Sequence, residues 1–125
     1  MVEQTGARQE ASTPPSPLGR SVLAEWLATP MTLEPFRSEV AVKLRGAAYG
    51  DRARLLANVE DARADHATRL AHYEQLERTQ FPDLTALTDP EKDQWLVLRG
   101  GIGMERFWID WLTEYLTAHT DEAHR

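Results

Sequence analysis

The side chains that could do chemistry in this chain are few and poorly placed for catalysis. Four histidines, His66, His72, His119 and His124, form neither His-Glu-x-x-His nor Glu-x-x-His, so the spacing that holds zinc or a carboxylate-bridged metal pair is missing. Ser12, Ser16, Ser21 and Ser38 sit in no Gly-x-Ser-x-Gly elbow. Cysteine is absent, which removes a thiol nucleophile and a disulfide framework. Carboxylates such as Glu74 precede a basic residue, here Arg78, by one helical turn, which is the ordinary chemistry of a solvated helix face. Gly101-x-Gly103 begins like a dinucleotide loop, but Arg106 stands at the last glycine position and no strand precedes it. The expectation is a protein that is no enzyme and takes no cofactor or metal.

Binding chemistry is better represented. Trp95, Trp108, Trp111 and Tyr115 recur along one helical segment, as core or interface anchors or as the walls of a pocket for a flat aromatic effector. Glu105 lies between Ile102 and Ile109 on an apolar stripe, where a carboxylate has to be paired or reach the rim. Arg99, one to two turns back, and His66, on a facing stripe, are its candidate partners. These residues, with His66 and Arg99 included, are the candidate effector or dimer-interface set; no DNA-contacting residue stands out.

Four helices must position them. Ser16-Pro17 is a hydroxyl cap followed by proline at the first helical position, and Leu18, Val22, Leu23, Trp26 and Leu27 then make one apolar face up to Pro30. A second helix is expected over about residues 34–48, with Phe36, Val40, Leu44 and Ala47 in phase and Gly50 ending it. Asp51 caps a third, running to about Thr79, whose stripe is Leu55, Leu56, Val59, Ala62, His66, Leu70, Tyr73 and Leu76. After a connector, Thr88 or Asp89 caps a fourth with Pro90 in its first turn, running to about His119.

Trp95, Leu98, Ile102, Ile109, Leu112 and Leu116 make one face of that last helix, and Val97, Met104, Phe107, Trp108, Trp111 and Tyr115 widen it beyond what one neighbour covers. A second subunit is the expected cover. Gly100, Gly101 and Gly103 each cost roughly 0.8–1 kcal/mol of helix propensity; they mark either a break between two shorter helices or a close approach of backbone or ligand. The fold expected is all-α: two short leading helices and a long antiparallel helical hairpin, dimerising through the last helix. Residues 1–17 read as an irregular lead-in, 18–120 as the helical domain and 121–125 as a polar tail.

The 125 residues carry a net charge of −6, opposite to what a surface gripping phosphates shows. No apolar run approaches the roughly 18 residues that cross a bilayer, and the polar N-terminus is no secretory signal, so a cytoplasmic protein without membrane contact is expected.

Four local patterns resemble the C-terminal region of PadR-family transcriptional regulators. They are Gly19-Arg20 with Leu23, Glu25-Trp26-Leu27 and Pro30; Arg37-x-Glu39-x-x-x-Lys43-Leu44; Leu55-Leu56 through Leu70-x-x-Tyr73-x-x-Leu76; and Trp95-Leu96, Leu98-Arg99-x-Gly101-Ile102, Glu105 and Trp111-Leu112. Together they reach from Gly19 to Ala118. The resemblance implies a dimerisation and effector-sensing domain, in the family preceded by a winged helix-turn-helix that reads DNA. Here residues 1–17 could match only the last hairpin of that wing, with Thr13-Pro14-Pro15-Ser16-Pro17 replacing its final strand. The chain is therefore expected to pair with itself or with a full-length relative, to respond to a small aromatic effector, and not to read DNA alone. The competing expectation is a stand-alone helical adaptor or small-molecule-binding protein.

Overall fold

Ser16 sets the start of the first helix as its sequence implies: the hydroxyl accepts the Gly19 amide at 3.0 Å, and Pro17 occupies the first turn. In the computed structural model, residues 14–32 and 38–123 are described, with side chains through Thr120. The chain divides into two compact units, residues 1–37 and 38–125. Within the described part of the first, α1 spans Pro17–Leu27 and its apolar side stays exposed, Trp26 at 67%. The expected lead-in falls largely on residues 1–13, outside the described ones.

The second unit begins at Ser38, whose hydroxyl accepts the amides of Val40 and Ala41 and starts α2, Glu39–Arg45. This helix is shorter than expected. Of the expected span, residues 34–37 lie outside the described ones; at the other end Gly46 closes the helix, and a separate 3-10 turn, Ala47–Tyr49, follows. Gly50 therefore ends that turn rather than α2. Asp51 then caps α3, Arg52–Gln80, by accepting the Arg54 amide at 3.2 Å.

The fourth helix, α4, runs Asp89–Ala123 without a break. A reciprocal capping box opens it: the Thr88 amide donates to Glu91 Oε1 at 2.8 Å, and the Glu91 amide donates to Thr88 Oγ1 at 3.3 Å. The helix continues past His119 because Thr120, Asp121 and Glu122 include neither glycine nor proline to stop it.

The 29 residues of α3 and 35 of α4 form an antiparallel hairpin about 40 Å long. Val59, Leu112 and Leu116 form its core at one end, with Val40, Leu44, Leu55, Leu56, Ala62, Trp111 and Tyr115 packed around them. Ile102 is fully buried nearer the other end, and Phe81 folds inward from the connector. Gly101 explains one of the costly glycines: a Cβ there would stand 3.3 Å from Cε2 of Tyr73 on α3. Gly100 and Gly103 face nothing within 4 Å. Among the described residues no helix is long and apolar enough to cross a membrane.

Candidate functional site

The two long helices meet along a seam that carries three polar clusters instead of one pocket. The middle cluster is built on Glu105, whose place between Ile102 and Ile109 on α4 turns it toward α3. It is 7% exposed. His66 Nδ1 lies 2.5 Å from Glu105 Oε1, and Arg69 Nη1 lies 3.4 Å from Glu105 Oε2. His66 and Arg69 stand three apart on α3, so one turn of that helix presents both to the same carboxylate. The His66 ring also stacks on Trp108, with planes 3° apart and centroids at 5.4 Å. Trp108, Phe107 and Trp111 continue as an aromatic row, with centroids 5.4–6.0 Å apart. A carboxylate withdrawn from water to this degree requires such partners, because an uncompensated charge in the interior costs several kcal/mol.

Toward the connector, Glu77 on α3 accepts the indole N–H of Trp95 at 2.8 Å and pairs with Arg99 at 3.6 Å. Glu74 pairs with Arg106 at 3.1 Å close by. Toward the free ends, Arg52 donates to the Tyr115 hydroxyl at 2.8 Å and stands 3.1 Å from His119 Nε2, and Tyr115 and His119 have ring centroids 4.4 Å apart. Arg63 donates to Thr113 at 3.2 Å between this cluster and the middle one.

The seven candidate residues thus do not converge. His66, Glu105, Trp108 and Trp111 come together; Trp95 and Arg99 belong to the Glu77 cluster; Tyr115 belongs to the Arg52 cluster. From Trp95 to Tyr115 is about 30 Å of helix. Of the two partners expected for Glu105, His66 is present, and Arg99 is engaged with Glu77 instead. Arg69, Arg52 and Glu77 were not singled out from sequence. Arg69 had a readable signal, its three-residue offset from His66, once His66 is set against Glu105.

A cavity of about 230 Å³ lies beside α2, lined by Val40, Leu44, Leu55, Val59, Ala62 and Leu112, with Glu39, Lys43 and Asn58 at its rim. None of the seven lines it. Among the described residues no group of three or more histidine or carboxylate side chains is arranged to hold a metal ion.

Comparison with known proteins fits this architecture. Residues 36–120 match the family described as Virulence activator alpha C-term. The chain is 42% identical over 110 residues to the probable transcriptional regulator Rv1176c of Mycobacterium tuberculosis, covering 80% of this chain and 58% of that protein. It also superposes on the structure of the Vibrio cholerae virulence activator AphA with a TM-score of 0.78 at 22% identity, over 86% of this chain and 63% of that one. At that identity the likeness speaks for the fold. The chain spans about three fifths of the length of these two proteins. These matches overturn the PadR assignment. Several of the positions that suggested it, such as Leu55, Leu56, Ile102 and Leu112, are packing positions that a long helical hairpin requires in any family. The chain belongs to the virulence activator alpha C-terminal family.

Proposed function

We propose that this chain serves as the pairing and control domain of a transcriptional regulator, with DNA read elsewhere in the regulator. One observation carries the reading: α4 keeps a long apolar stripe that its own hairpin leaves uncovered. Val97 is 78% and Met104 57% exposed, Leu96 and Phe107 are exposed beside them, and Gly100 and Gly103 leave the middle of the stripe flat. Contiguous apolar surface of this kind, with no side chain at its centre, suits close approach by a second helix. A second copy of α4 fits it. Lys92 and Asp110 flank the same side of the stripe, five turns apart, so an antiparallel pair would match unlike charges at both ends. The acidic balance of the chain, −6, supports placing DNA contact outside the hairpin. The name of the Mycobacterium tuberculosis relative supports the regulatory assignment.

Light scattering on the full chain and on Met104→Glu tests this. The expected result is a dimer mass for the parent and a monomer mass for the variant, with helical circular dichroism unchanged. A monomeric parent at micromolar concentration would sink the pairing role. In a mobility-shift titration at physiological salt, the chain alone is expected to show no sequence-dependent binding.

A further inference from the structure

The helix α2 meets the hairpin through side chains such as Val40 and Leu44, without close approach of the backbones. No Cα of α2 comes within 8 Å of a Cα of α3 or α4, and its link to α3 passes through the 3-10 turn. Close-packed helices have axes 8–10 Å apart and bring backbone atoms nearer than this where side chains are small. Small side chains are what this contact has: Val40 on α2 faces Val59 and Ala62 on α3. The result is the cavity of about 230 Å³, with Leu112 of α4 also lining it.

Its walls and rim differ in chemistry. The walls are Val40, Leu44, Leu55, Val59, Ala62 and Leu112, all apolar, and Val59 and Leu112 are buried. The polar groups, Glu39, Lys43 and Asn58, are few. Glu39 and Lys43 neutralise each other across one helical turn at 2.7 Å, and Asn58 adds an uncharged amide. The Lys43 ammonium, by hydrogen bond and then by charge, holds the Glu39 carboxyl below its usual range.

From this we infer that the α2 cavity is a binding site for a small uncharged amphiphile, an apolar chain or ring of about eight to ten heavy atoms ending in one hydroxyl or amide. The volume sets the scale of the part that is held, since the site is a half-open groove and an enclosed apolar cavity of about 150 Å³ takes up benzene. The absence of net charge follows from the rim, where Glu39 and Lys43 already satisfy each other and leave no unpaired counter-charge for a charged end group. The end group would exchange hydrogen bonds with Asn58, and the apolar part would fill the space between α2 and the hairpin. The inference deepens the control part of the proposed function, which it presupposes only for its consequence in the cell. Binding itself is measured independently of pairing.

The test is a methyl and amide NMR titration of the full chain with 1-heptanol, heptanoate and protonated heptylamine. Heptanol is expected to give saturable shifts at Val40, Leu44, Leu55, Val59 and Leu112, with nuclear Overhauser contacts to the same methyls. The two charged analogues are expected to bind more weakly than heptanol, since neither finds an unpaired counter-charge at the rim. Ala62→Leu should abolish binding by occupying the space, and Asn58→Ala, on an exposed position, should weaken heptanol severalfold with the spectrum otherwise intact. Absence of saturable shifts, shifts confined to Leu96, Val97, Met104 and Phe107, or contacts from the Phe36 ring to the cavity methyls would each overturn it. A dimer by light scattering alongside any of those results would leave the pairing role standing.

Discussion

The imidazole of His66 lies parallel to the indole of Trp108, 5.4 Å between centroids, while its Nδ1 meets Glu105. One side chain of α3 thus joins the aromatic row of α4 to its buried carboxylate. Replacing Glu105 by Ala removes the acceptor shared by His66 and Arg69. Arg69 is half exposed and keeps water, so the expected loss is moderate, about 2–3 kcal/mol. Urea unfolding measures it, and an unchanged midpoint would remove the cluster from the stabilising contacts of the seam.

The three glycines of α4 are expected to respond differently to alanine. At Gly100 and Gly103 the new methyl meets nothing in one chain, so each substitution should stabilise the monomer by up to about 1 kcal/mol through helix propensity. At Gly101 the methyl presses on Tyr73 at 3.3 Å, which offsets that gain. If α4 pairs across its flat stripe, Gly100→Ala and Gly103→Ala also weaken association in sedimentation equilibrium. The same response at all three positions would rule out the Tyr73 contact as the reason for glycine at 101.

At the start of α4 the Thr88 amide, and then the Thr88 hydroxyl, hold the Glu91 carboxyl below its usual range. A depressed folded-state value means the contribution is complete above the ordinary carboxylate range and lost as pH falls through the depressed one. Glu91→Gln, which removes the titrating carboxyl that the Thr88 amide holds, should therefore destabilise the chain near neutrality and flatten the acid limb of its stability profile. Chemical denaturation between pH 3 and 7 reads both effects, and a parallel profile for parent and variant would contradict the cap.

Leu112 is fully buried where α2, α3 and α4 come nearest. Leu112→Ala should cost about 2–5 kcal/mol, in the lower part of that range if α2 collapses inward. Thermal unfolding gives the size of the loss, and a cost below about 1 kcal/mol would mean that this end of the hairpin is not its core.

Local chemistry was the most legible part of the sequence. Ser16, Asp51 and Thr88 start helices because a side-chain oxygen three residues before a free amide acts without help from the rest of the fold. The apolar stripes placed His66 opposite Glu105 for a similar reason, since both sit at buried phases of long, regular helices. Arg99 was harder. Whether it meets Glu105 or Glu77 depends on how far α4 is shifted along α3, which periodicity does not encode. The end of α2 was missed because Gly46 competes with Gly50 and only packing decides between them. Family membership was misread because caps and stripe positions report on helices in general.

The polar clusters of the seam also limit how the hairpin can move. Sliding α4 past α3 by a single turn, about 5.4 Å, would unseat Arg52 from Tyr115, His66 from Glu105 and Glu77 from Trp95 together. Creep along the long axis therefore disrupts all three clusters at once. The hairpin is thereby pinned in register at its middle and at both ends.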